Sequence, residues 1–198
     1  MGCRGLILIT TSRRPTRRIR SLIKDLFRVI PGAVRVNRGK MNIRDVAMRA
    51  LREGFCRAMI VGRYKGNPGR IRFLKVTPSG FEYIPPVVFL SGITLRREMT
   101  DKRAPQGRDM AIITFSDEEE EVLRFARSLA YAFNREMFVV DKLDDIGGIY
   151  EDQEYDVFLA VKADREGFAL RFYYAPELEE LGPRLRVGRV IYLSLIHI

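Results

Sequence analysis

Two short segments of the chain repeat one arrangement. ILITTS (7–12) and AIITFS (111–116) are each a run of β-formers that leads straight into an amphipathic helix and then a second short strand. A strand–helix–strand unit that occurs twice, about a hundred residues apart, commits the chain to α/β architecture. It also predicts two similar halves rather than one long winding. At 198 residues the chain is long enough for one domain, or for two small lobes with a common origin.

In the first half the pattern predicts a strand over 5–11 and a helix over 16–30. Ile19, Leu22, Ile23, Leu26, Phe27 and Ile30 recur at helical spacing. Thr16 is the expected N-cap, and Pro31-Gly32 stops the helix. A strand at 33–37, a loop at 38–40 and a second helix from Asn42 to about 53 follow. Segments 56–64 and 70–77, joined by a turn at Gly66-Asn67-Pro68-Gly69, read as a hairpin. Shorter strands at 81–84 and 86–95 flank Pro85-Pro86. The polar stretch 97–109 reads as a linker. It divides the chain into halves 1–96 and 110–192.

The second half predicts a strand at 110–115 and a helix opened by a capping box from Ser116 to Glu119, ending near Phe133. A strand at 137–140, an acidic loop, strands at 155–162 and 168–174, and a last strand near 184–193 complete it. Residues 193–198 (LSLIHI) match what a transposon-end sequencing adapter encodes in frame and are read as a non-native tail. The only histidine, His197, lies there and is given no role.

The charge is uneven. Residues 1–108 carry 25 Lys+Arg against 6 Asp+Glu, and the rest of the chain carries 10 against 19. A basic half of that strength calls for a polyanionic partner, most simply nucleic acid. The densest cluster is Arg13, Arg14, Arg17, Arg18 and Arg20, five arginines in eight residues where the first strand hands over to its helix. Free N–H groups at a helix start already favour phosphate, and guanidinium adds planar bidentate contacts. Arg35, Arg38 and Lys40, on the next strand and loop, complete the candidate RNA-binding set, with Gly39 allowing close backbone approach. Mid-helix Lys24 and Arg28 read as an ordinary solvated face. Of the aromatic residues, Tyr64 is the best candidate to stack on a base.

No enzyme class is supported. Without His197 there is no histidine for general-base or metal chemistry, and no phosphate-binding glycine loop is present. No cofactor or metal is expected. The acids Asp141, Asp144, Asp145, Glu151, Asp152, Glu154 and Asp156 read as a solvated loop rather than a magnesium site. Cys3 and Cys56 are too few for a disulfide framework, and Cys56 reads as a small core residue. With no apolar run of membrane length and no signal-peptide pattern, a cytoplasmic location is expected.

The segment ITTSRRPTRRIRSLIKDLFRVIPGAVRVNRGKMNIRDVAMRA closely resembles the opening of Brix-domain proteins, above all the short archaeal form. LGPRLRVGRVIYL (181–193) resembles the family's closing segment. The resemblance implies a single Brix domain over nearly the whole chain. It also implies two lobes, each like the anticodon-binding domain of class IIa aminoacyl-tRNA synthetases, and a non-enzymatic role in ribosome assembly with rRNA or pre-rRNA as partner. Other assembly factors or ribosomal proteins are further expected partners, and a membrane is not. Three rival readings are a standalone tRNA-binding module, a magnesium nuclease and a protein-interaction scaffold.

Overall fold

The structure is a computed structural model. It describes residues 7–64, 67–102, 105, 107–153 and 155–192. The described strands are β1 (Ile7–Thr11), β2 (Val34–Arg35), β3 (Arg57–Tyr64), β4 (Asn67–Thr77), β5 (Gly80–Thr94), β6 (Met110–Phe115), β7 (Met137–Val140), β8 (Val157–Asp164), β9 (Gly167–Tyr174), β10 (Glu179–Glu180) and β11 (Arg184–Ile191). The helices are α1 (Arg17–Val29), α2 (Ile43–Arg52), α3 (Glu120–Phe133) and α4 (Ile146–Gln153).

All the strands join one mixed sheet in the order β2-β1-β3-β4-β5-β11-β9-β8-β6-β7, with β10 beside β9. In the first half, β1 is parallel to β2 and β3, and β3, β4 and β5 alternate antiparallel. In the second, β6 is parallel to β7 and β8, and β8, β9 and β11 alternate antiparallel. The halves meet where β5 pairs with β11. The five antiparallel steps from β3 to β8 make β1 and β6 run in opposite directions. The starts of α1 and α3 therefore lie at opposite edges of the sheet.

Helices cover both faces. Ile19, Leu22, Ile23 and Leu26 of α1 and Phe125, Ala126 and Leu129 of α3 share one core with the inward side chains of both halves. Val46, Ala47 and Ala50 of α2 pack on Leu8, Ile60 and Leu74 of the other face, and Ile146 of α4 packs there on Phe158 and Ala160. Each large aliphatic side chain buried this way contributes about 1.5–3 kcal/mol.

The local signals of α1 and α2 act as read. Thr16 Oγ1 accepts from Ile19 N at 3.3 Å. Asn42 and Asp45 form a reciprocal capping box. Phe27 is half-exposed rather than in the core.

Elsewhere the fold differs from expectation. Segments 81–84 and 86–95 are one strand, β5, whose ladder with β4 shifts register between Ile71 and Phe73, opposite Pro85-Pro86. Proline has no N–H to give the ladder, so it sits where pairing lapses. β4 already begins at Asn67, which pairs with Tyr64, so 67–69 are strand rather than turn; Gly66 of the expected turn lies outside the described residues. Ser116 is not the cap of α3. Its hydroxyl donates to Asp141 at 2.6 Å, and the helix starts after Glu119. The acidic loop contains a 3₁₀ turn at Leu143–Asp145 and then α4. Cys56 is half-buried and disulfide-bonded, not a core thiol. Cys3 and the tail 193–198 lie outside the described residues. No helix of the described residues is long and apolar enough to cross a membrane.

Candidate nucleic-acid interface

Arg13, Arg14, Arg17, Arg20, Arg35 and Lys40 are exposed. Among the described residues, none of their side chains has a hydrogen-bond or ion-pair partner. β1 is parallel to β2, so the start of α1 and the loop after β2 lie at the same, carboxyl edge of the first half. Open α/β sheets commonly bind ligands at this edge. The Gly39 backbone is left-handed, with φ +51°, and tightens the loop so that Met41 N–H donates to the Arg38 carbonyl at 3.0 Å.

Two members of the set depart from the sequence reading. Arg18 is already neutralised. Its Nη1 and Nη2 donate to the two carboxylate oxygens of Glu98 at 2.7 and 3.0 Å, and Nη2 also reaches the Ile93 carbonyl at 2.8 Å. It fastens α1 to the segment after β5. Arg38 is 5% exposed, its Nε donates to the Met41 carbonyl at 2.6 Å, and its Nη1 is buried with no partner. Burial, and next the positive charge of Arg13, lower its pKa from the ordinary arginine value; Arg72 adds to that effect. Arg38 and Arg72 are thus the inner members of a cluster whose outer member is Arg13.

Arg72 and its neighbour Arg70 were missed from sequence. The Arg72 guanidinium lies 5.1 Å from the centre of the Tyr83 ring and donates to its hydroxyl at 3.3 Å. RIRF (70–73) alternates as a strand should, but nothing local shows that its polar side faces the Arg38 loop. Tyr64 is half-buried, with its ring edge-on to Phe89 at 4.7 Å. Phe55, Phe73 and Tyr83 belong to the core.

Three acids of the expected acidic loop have structural partners, and the side chains of Glu151, Asp152 and Glu154 lie outside those described. Asp141 accepts from Ser116, Asp145 from Lys142 N, and Asp156 from the backbone and guanidinium of Arg108. The Arg108 hydrogen bond holds the Asp156 carboxyl below its usual range. Among the described residues, no group of three or more His, Cys, Asp or Glu is placed to hold a metal ion.

No family model matches the chain. It is similar, however, to proteins named as probable Brix domain-containing ribosomal biogenesis proteins. The one from Pyrococcus furiosus is 32% identical over 187 residues, spanning 92% of this chain and 83% of that protein. The one from Methanopyrus kandleri is 32% identical over 181 residues, spanning 89% and 90%. Among solved structures, a probable ribosomal biogenesis protein from Aeropyrum pernix K1 superposes with a TM-score of 0.73 at 29% identity, covering 92% of this chain and 95% of that one. Mil, an archaeal Imp4-like protein, superposes with a TM-score of 0.61 at 22% identity, covering 93% and 99%, and shows the shared fold.

Proposed function

The chain belongs to the Brix-domain family, which is non-catalytic, and from that premise we propose that it is a ribosome biogenesis factor whose arginine edge binds rRNA or its precursor. One observation carries the reading. Arg13, Arg14, Arg17 and Arg20 stand exposed and, among the described residues, without partners around the start of α1, with Arg35 and Lys40 at the same sheet edge. Like charges this close repel one another, and phosphate oxygens relieve that repulsion. The buried Arg38 adds field from behind. Such contacts bind backbone without reading bases, so specificity rests on RNA shape.

The strand order of the first half, repeated in the second, supports an internal duplication in which each half is the counterpart of an anticodon-binding domain. The divisions 1–96, 97–109 and 110–192 follow that repeat. The acidic second half, with its helix start at the far edge, then serves contacts to ribosomal proteins or other assembly factors in the cytoplasm.

Crosslinking in cells, with sequencing of the attached RNA, tests this reading against Arg13→Glu/Arg14→Glu/Arg17→Glu. Reads concentrated on one rRNA region and lost in the variant support it. Reads dominated by tRNA favour a tRNA-binding module. RNA reads that the variant keeps remove the arginine edge as the site.

A further inference from the structure

A second concentration of cations lies on the sheet face opposite α1 and α3. Ile71, Phe73, Val161, Leu170, Phe172, Leu185 and Val187 point into the core beneath those two helices. Strand alternation therefore turns Arg70, Arg72, Lys162, Arg171 and Arg186 to the other side. Arg189 joins them, paired in register with Phe89. α2 covers one end of this face and α4 the other. Between them Ser91, Arg171, Arg186, Gly188 and Arg189 are exposed. Asp164 is the one acidic side chain at the described outward positions of β4, β5, β8, β9 and β11.

Three of these cations rest on rings. Arg72 lies over Tyr83 at 5.1 Å, Arg189 over Phe89 at 4.3 Å and Lys162 over Phe115 at 3.6 Å. A ring beneath a guanidinium fixes its plane and leaves its outer side open to a phosphate or a base. Arg186 is seated differently: a Cβ at Gly92 would stand 2.8 Å from its Nε, so the guanidinium lies flat on bare backbone. Gly92, Thr94, Arg165, Arg171, Arg184 and Arg186 line a groove of about 380 Å³ at this seam. From β4 to β8 the track crosses four strand spacings, roughly 19 Å at about 4.8 Å each.

We propose that this open face, from Arg72 across β5 and β11 to Lys162, is a second RNA-backbone surface that spans both halves of the protein. The choice of RNA as partner rests on the function proposed above; Arg72 also stands behind the α1 edge, whereas Arg171, Arg186 and Arg189 belong to this face alone. RNA held along it lies across the β5–β11 seam, so binding ties the two halves together.

The test uses the full chain with two probes, a 20-nucleotide oligouridine and a 16-base-pair RNA duplex, titrated at several salt concentrations. Arg171→Gln/Arg186→Gln/Arg189→Gln is compared with Arg13→Gln/Arg14→Gln/Arg17→Gln. The face variant is expected to bind at least one probe about tenfold more weakly. Its log affinity against log salt should be shallower by about 2, from three lost contacts at about 0.7 each on a single strand. Wild-type affinity and slope on both probes would overturn the proposal. If only the edge variant is impaired, the edge reading stands and this one falls; if only the face variant is impaired, the reverse holds. Ultraviolet crosslinks on the unaltered protein give an answer that does not depend on the variants folding. Crosslinked peptides from 87–94 and 184–191 are expected, and crosslinks confined to 12–40 would contradict the proposal.

Discussion

Arg18 and Glu98, eighty residues apart in sequence, meet in a two-point ion pair at 2.7 and 3.0 Å. The same carboxylate accepts from Leu95 N at 2.9 Å, so Glu98 caps its own 3₁₀ turn while it holds α1. An arginine at a helix start is thus not by itself a ligand contact. Arg18 belongs to the arginine cluster in sequence and to the packing of the 3₁₀ turn Arg96–Glu98 in space.

The Arg18 hydrogen bond, and next the Leu95 N–H, hold the Glu98 carboxyl below its ordinary range. A depressed carboxylate stabilises the fold above its unfolded pKa of about 4.3, and that contribution is lost as pH falls through the lower folded value. Both side chains are partly exposed, so the pair contributes at most about 1 kcal/mol. Glu98→Gln should lower the melting temperature by a few degrees at pH 7. The gap to wild type should close on acidification below about pH 4, as thermal melts across pH would show.

Arg38 is buried with one nitrogen unpartnered and two arginines nearby. A cation in such a place is poor for stability. Arg38→Met should therefore leave urea stability unchanged or raise it by about 1 kcal/mol, while weakening RNA binding severalfold. Equal loss of stability and binding would mean that the arginine serves the fold alone.

Gly167 opens β9 with φ +139°, and a Cβ there would stand 2.1 Å from the Val187 carbonyl oxygen of β11. Gly167→Ala must push β9 from β11 beside the seam of the two halves. The cost should be about 2–4 kcal/mol, measured by chemical denaturation. Gly39→Ala, also at positive φ but with no atom within 4 Å of the added carbon, should cost only about 1 kcal/mol.

The Asn42–Asp45 box satisfies two backbone donors at the start of α2. Asn42→Ala should cost about 1 kcal/mol. Hydrogen exchange should show the loss first in α2, leaving the amides of α1 protected.

What could be read from the sequence was what neighbouring residues decide. Thr16 and Asn42 act as caps because their partners lie three residues on. The repeat of ILITTS in AIITFS led to matching strand pairings because each half builds its own βαβ unit. Ser116 carried the same kind of signal as Thr16, yet a residue twenty-five positions away, Asp141, takes its hydroxyl. α4 was hidden by Gly147-Gly148 and by acids that read as loop, whereas in the fold its Ile146 is buried against Phe158 and Ala160. That β11 lies between β5 and β9 is a long-range fact, and the basic outer face depends on it. The exposed arginines of the first junction stood out by density alone. The burial of Arg38 and the capture of Arg18 depend on residues that sequence proximity does not supply.

The proposed function requires the carboxyl edge of the first half to bind rRNA through its arginines. The affinity of the intact protein for a precursor rRNA fragment, titrated against salt, tests it most directly when Arg13→Glu/Arg14→Glu/Arg17→Glu/Arg20→Glu is measured beside wild type. A loss of at least a hundredfold is expected, with a salt slope shallower by about 3, from four contacts at roughly 0.7–0.9 each. An unchanged slope and affinity, in a variant that melts like wild type, would contradict it.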